Sequence, residues 1–133
     1  MPPFKNVLAV AAGGKLGTAA RYLLLIARPD AQEGFPATTF AENIAGAFLL
    51  GLLLTAILHG WQWRRDVRPL VATGALGAFT TFSAYTEGIV RLADDGSPMT
   101  AAVYALASLA LGIVAAAAGI TAGRALGKRA ATA

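Results

Sequence analysis

Thr80, Thr81, Ser83 and Thr86 crowd four aliphatic hydroxyls into one short stretch, with Phe79, Phe82 and Tyr85 set between them. Phe82 and Tyr85 stand three apart, so on a helix they share a face. Far along the chain on either side, Asn43 offers an amide, and Tyr104 and Ser108, four apart, line one helical face with two more hydroxyls. These groups are mostly neutral donors. Hydroxyls and amide N–H groups donate hydrogen bonds, and the edge of an aromatic ring is the positive part of its quadrupole. A path lined in this way suits a small anion, whereas a cation path more often shows carboxylate rings or aligned carbonyls. Singly, each residue says little, because Ser and Thr also serve membrane helices as interhelical hydrogen-bonders. Together they say more.

The hydroxyl cluster belongs to Gly74-Ala-Leu-Gly-Ala-Phe-Thr-Thr-Phe-Ser-Ala-Tyr85. Glycines and vicinal threonines are poor material for a plain helix. The chain around them is 56% hydrophobic and 14% charged, against roughly 25% charged residues in soluble domains. Four apolar stretches, approximately 4–27, 38–59, 68–92 and 98–123, are each long enough to cross a bilayer of roughly 30 Å. The expected fold is an all-α integral membrane protein, one four-helix domain over residues 1–133, with short connections and antiparallel neighbours. The third span should break near its centre. In hydrocarbon every backbone N–H and C=O needs a partner, so a broken helix survives only inside protein or along a wet path.

The first stretch is too long for a signal peptide, carries Lys15 and Arg21, and ends in no small-residue cleavage site. The absence of cysteine excludes disulfides and thiolate metal sites. His59, beside Gly60, Trp61 and Trp63, fits an interfacial aromatic belt better than a metal site. The net charge of +4 reads as membrane orientation, not nucleic-acid binding. Lys5, Arg64, Arg65, Arg68, Arg124, Lys128 and Arg129 fall on one side of four crossings, and Arg28 and Arg91 on the other. That bias predicts both termini in the cytoplasm.

Membrane helices associate through small residues and polar contacts. Gly13, Gly17 and Arg21 form one stripe of the first span; Gly46 and Gly51 thin the second; the fourth is rich in alanine with Gly112 and Gly119. Small-residue surface in such excess predicts an oligomer. At about 1.5 Å per residue, Arg21, Glu42, Asn43 and Glu87 share a level within roughly 3 Å, so an Arg21–Glu42 or Arg21–Glu87 ion pair is feasible. Lys15 falls near the bilayer centre, level with Thr80 and off the glycine stripe. There it must face a buried acceptor, such as broken-helix carbonyls, or a watery vestibule.

Three ordered motifs carry a resemblance. Gly13-Gly-Lys-Leu-Gly-Thr-Ala-Ala-Arg-Tyr22, Asn43-Ile-Ala-Gly-Ala-Phe48 and Gly77-Ala-Phe-Thr-Thr-Phe-Ser83 resemble the signatures of the Fluc fluoride channels, also called CrcB proteins, over nearly the whole length. The resemblance implies passive, selective export of fluoride across the bacterial plasma membrane. It also implies a dimer of two oppositely oriented chains with two pores along their interface. Asn43 would donate to the anion, Phe82 and Tyr85 would supply ring edges, and Tyr104 and Ser108 would continue the track, with Thr81 beside it. Gly77 and Thr80 would offer backbone carbonyls from both chains to a structural sodium ion (Na+). Arg21 would stand near the vestibule.

The chain departs from the pattern at several places. Ala78 replaces a common glycine, and Tyr85 stands where the family usually has Phe. Lys15 and Glu42 are charges at usually apolar positions, Glu87 falls one residue early, and Gly112 replaces a hydroxyl. The charge bias fits a dual-topology homodimer poorly, so one reading is a heterodimer with an oppositely oriented sister chain. Another places the Lys15 ammonium near the sodium position. Two further classes stay open: a proton-coupled exporter of the small multidrug type, relying on Glu42 or Glu87, and a non-conducting subunit. No nucleophile–base pair, metal triad or nucleotide loop marks an enzyme.

Overall fold

The computed structural model of the chain describes residues 3–30, 34–58 and 67–131, and every regular element among them is helical. His59, Trp61, Trp63, Arg64 and Arg65 lie outside the described residues. Helix α1 runs Pro3–Ala27 and α2 runs Ala37–Leu58. Next comes α3, built of π-helical turns over Pro69–Leu76 and one α-helical turn, Gly77–Phe79. After the break come α4, Phe82–Asp94, and α5, Pro98–Ala131. Two helices, over Ala37–Ile57 and Pro98–Lys128, are by themselves long and apolar enough to cross a membrane. The charges Lys5, Lys15 and Arg21 dilute α1, and the break divides the third stretch into short pieces.

The interruption expected in the third stretch falls at Thr80 and Thr81, both extended, with φ/ψ of −77°/150° and −143°/118°. Thr81 caps α4, its Oγ1 accepting from the Ala84 amide at 3.2 Å. The far end of α4 closes with Gly96 at φ 75°: Gly96 N–H donates to Ala93 O and Ser97 N–H to Leu92 O. That is the left-handed helix stop that glycine adopts without steric penalty. Pro98 then opens α5, where its missing N–H leaves nothing unpaired. Helix α5 continues well past residue 123. Its alanines favour helix, and Arg124 and Lys128 end the apolar run without ending the helix.

Close backbone approach organises the packing. Helix α1 lies along α3, and a Cβ at Gly13 or Gly17 would run into the Leu70 or Ala75 carbonyl. Helix α2 lies along α5, where a Cβ at Gly119 or Gly123 would strike the Phe48 or Leu52 carbonyl. Helix α4 rests on α5 around Leu92, Ala101 and the fully buried Tyr104, with Phe35, Phe40, Tyr85 and Ile89 packed against them. Asp30 fastens the start of α2, accepting from Thr38 N–H at 2.6 Å, Thr39 N–H at 3.2 Å and Thr39 Oγ1 at 2.7 Å. Outward, the chain exposes large apolar side chains, among them Leu16, Leu23, Leu106, Ile113 and Phe82. Such a surface belongs against lipid or a partner chain.

The first half of the third stretch winds as π-helix on its way to the break. Three expectations need correction. The Arg21–Glu42 pair is not made: Glu42 is buried, and neither carboxylate oxygen has a hydrogen-bond partner among the described residues. Sharing a level along the membrane normal does not by itself bring two side chains within bonding distance. Glu87 is exposed and lines a depression with Ser83, Thr86, Arg91, Asp94 and Asp95, away from Arg21. Lys15 is exposed on the outer side of α1 with Gly14, Thr18, Ala19 and Tyr22. Since Gly13 and Gly17 face α3, Lys15 points away from the break and does not stand at Thr80 of its own chain.

Candidate functional site

Asn43 sets the geometry of the site. Its Oδ1 accepts from the Thr81 N–H at 2.8 Å, and its Nδ2 donates to the Thr81 carbonyl at 3.0 Å. The one amide thus takes over both backbone groups of the residue at the break, the substitution that hydrocarbon demands wherever a helix stops. An amide carries two donor hydrogens, so one remains uncommitted.

A cavity of about 370 Å³ opens beside this clamp, lined by Asn43, Thr80, Thr81, Phe82, Tyr85, Ser108, Leu109 and Gly112. It draws together residues from α2, the break, α4 and α5. The rings of Phe82 and Tyr85 lie 5.7 Å apart on their shared face. Tyr104 lies behind Tyr85, with ring centroids 5.6 Å apart. The Tyr85 hydroxyl donates to Ala105 O at 3.2 Å, which fixes its ring against α5. Tyr104 Oη and Ser108 Oγ are buried with no hydrogen-bond partner among the described residues. Buried hydroxyls normally find a partner; these two stand a turn apart on one stripe of α5, Ser108 lining the cavity and Tyr104 buried behind it. Gly112 extends the stripe one more turn, and a Cβ there would meet nothing within 4 Å.

The backbone at the break is equally distinctive. In an unbroken helix Thr81 N–H would reach the Gly77 carbonyl and Ala84 N–H the Thr80 carbonyl. Here the first goes to Asn43 Oδ1 and the second to Thr81 Oγ1. The carbonyls of Gly77 and Thr80 therefore lose the amides a helix would aim at them. Thr80 meanwhile turns its own N–H and hydroxyl to Leu76 O, at 3.1 and 3.0 Å.

Of the residues singled out from the sequence, Asn43, Thr80, Thr81, Phe82, Tyr85 and Ser108 line this one cavity, and Tyr104 lies behind it. Glu42, Arg21 and Glu87 do not line it. Sequence reasoning missed the Asp30 clamp on α2 and the double hold of Asn43 on Thr81. For Asp30 the signal was faint, because it stands upstream of a loop rather than directly before its helix. For Asn43 the depth count hid it, because it set the amide level with Glu87 and the break nearer the bilayer centre.

A chain whose described elements are all helical, with large apolar side chains on its exterior and an amide and hydroxyls among the residues lining one cavity, has the character of a membrane protein. The family description "CrcB-like protein, Camphor Resistance (CrcB)" matches residues 8–120. The chain is 47% identical over 121 residues to Fluoride-specific ion channel FluC 3 of Streptomyces avermitilis, covering 90% of this chain and 59% of that protein. FluC 2 of the same organism is 44% identical over 103 residues, 77% of this chain and 65% of that protein. The chain thus spans about three fifths of the length of these two relatives. The Fluoride-specific ion channel FluC of Paracoccus denitrificans is 42% identical over 119 residues, 90% of this chain and 94% of that protein. The chain belongs to the CrcB-like family.

Proposed function

We propose that the chain is a subunit of a fluoride-selective channel that lets the ion leave the cytoplasm passively, not an enzyme. The observation that carries this is the pair of unanswered donors in the wall of the cavity, the second Asn43 N–H and Ser108 Oγ, with the Phe82 and Tyr85 rings adjacent and Tyr104 buried behind them. Fluoride is small and tightly hydrated. A path for it must replace water's hydrogen bonds with fixed donors, as filters in general do for their ions. The printed names of the relatives agree with this chemistry.

In this proposal the chain crosses a bacterial plasma membrane four times as a single domain. It pairs with an oppositely oriented copy or sister, which closes the open side of the cavity. Sodium is a fitting companion ion. Hard cations take oxygen ligands, and the carbonyls of Gly77 and Thr80 have lost their helical donors. Those two residues would hold it, and its charge would anchor the point where the two breaks meet. Arg21, half-buried on α1, would add positive potential toward an approaching anion.

The test is efflux from liposomes loaded with fluoride, under valinomycin with a potassium gradient, read by a fluoride electrode. Wild type, together with its sister chain where the second wall is not a copy of itself, should empty the vesicles while chloride stays inside. Asn43→Asp and Phe82→Ile should both suppress the efflux, the first by placing negative charge in the slot and the second by removing a ring edge. Vesicles that stay sealed to fluoride, with or without a sister chain, would sink the proposal. Flux that follows a pH gradient but not the potential would point instead to the proton-coupled exporter.

A further inference from the structure

Asn43 lines the anion slot, yet both of its bonded groups face the backbone of the break. We propose that Asn43 is the positioning residue of the cation site. By holding the N–H and C=O of Thr81, it keeps the Gly77 carbonyl free to face a sodium ion, so one side chain serves both ions. This rests on the sodium reading above.

The chemistry follows from the bonds. Without an acceptor at position 43, the Thr81 amide is left in a place where hydrocarbon does not tolerate an orphan donor. The nearest remedy is its own helix: Thr81 N–H turns back to Gly77 O, and α3 and α4 join through that bond. The carbonyl needed by the cation is then occupied. The acceptor half of Asn43 is what prevents this, while the donor half satisfies Thr81 O. An aspartate keeps the acceptor and loses the donor; an alanine loses both. The two substitutions therefore separate the two roles. The Thr80 carbonyl is freed independently, because Thr81 Oγ1 diverts Ala84 N–H and is itself steadied by Ser83 Oγ at 3.1 Å.

The experiment measures the thermal midpoint of purified, reconstituted protein while sodium replaces N-methylglucamine at constant ionic strength. Wild type should show a saturable rise. Asn43→Ala should need roughly tenfold more sodium for half of that rise, the equivalent of one hydrogen bond. Asn43→Asp should stay within about threefold of wild type even though it stops fluoride, because it retains the acceptor for Thr81 N–H. Ser108→Ala, which thins the anion track without touching the break, should reduce flux and leave the sodium midpoint where it is. A wild-type midpoint in Asn43→Ala overturns the proposal and leaves the sodium reading standing. A wild-type protein indifferent to sodium removes the sodium reading, and this proposal with it. If Asn43→Ala does not stay folded, amide hydrogen exchange on wild type decides: protection of Thr81 N–H supports the clamp, and exchange at the rate of a free peptide overturns it.

Discussion

Tyr104 and Tyr85 look alike in sequence, and their hydroxyls have opposite standing in the fold. Tyr85 spends its O–H on Ala105 O, whereas the Tyr104 hydroxyl is buried and bonded to nothing among the described residues. Removing a hydrogen-bonded group typically costs about 1 kcal/mol, while removing one without a partner loses no bond. Tyr104→Phe should therefore leave the thermal midpoint unchanged and still slow fluoride efflux severalfold, which a melting curve paired with an electrode trace would show. A matched fall in both would make Tyr104 a packing residue only. Gly112 permits the reverse operation. A side chain there meets nothing within 4 Å and faces the cavity, so Gly112→Ser should fold with a stability change inside about 0.5 kcal/mol and raise flux by lengthening the track. Most of the slot was legible at this scale, because hydroxyl spacing on a helix fixes which groups share a face. Glu42 was not. Counting residues placed it level with Arg21, but a shared level does not make a bond, and both of its oxygens end without a partner among the described residues. If the chain were a proton-coupled exporter through this carboxylate, Glu42→Gln would abolish transport. For a channel, potential-driven efflux should survive that change.

The elements show why glycine spacing matters more here than apolar periodicity. Gly13 and Gly17 let α1 close onto the α3 backbone, and Gly14, on the same helix, would meet nothing if given a side chain. Gly17→Val should therefore cost several kcal/mol through overpacking against Ala75, while Gly14→Ala should be close to neutral. Thermal midpoints of the two proteins test whether α1 is seated as described. The break in the third stretch was readable from Gly77, Thr80 and Thr81, which disfavour continuous helix. Its π-helical approach was not, since residue types report a preference for or against helix but not which carbonyl each amide selects. Helix α5 outruns its apolar span for a related reason. Hydropathy stops at Arg124, but helix formation does not, because alanine, leucine, lysine and arginine all favour it.

At the scale of the molecule, the proposed pathway has only one wall within a single chain. The cavity beside Asn43 opens to the surface, and Phe82, one of its lining rings, is 77% exposed. A conduit for a dehydrated anion cannot run along lipid, so conduction needs a second wall, and the charge distribution bears on what provides it. In the proposed four-span topology, Lys5, Arg64, Arg65, Arg68, Arg124, Lys128 and Arg129 oppose only Arg28 and Arg91. Bias of this kind sets orientation during insertion. A chain inserted one way only cannot meet an inverted copy of itself, so an inverted pore would then require a sister with the opposite bias. The absence of cysteine makes this measurable: a single cysteine placed at the N-terminus reports sidedness to an impermeant thiol reagent without interference. Labelling should occur only after the membrane is opened, and the chain alone should leave fluoride trapped until its sister is co-expressed. Equal labelling before and after opening, together with efflux from the pure chain, would show that the bias is too weak to orient it and that the second wall is another copy of the same protein.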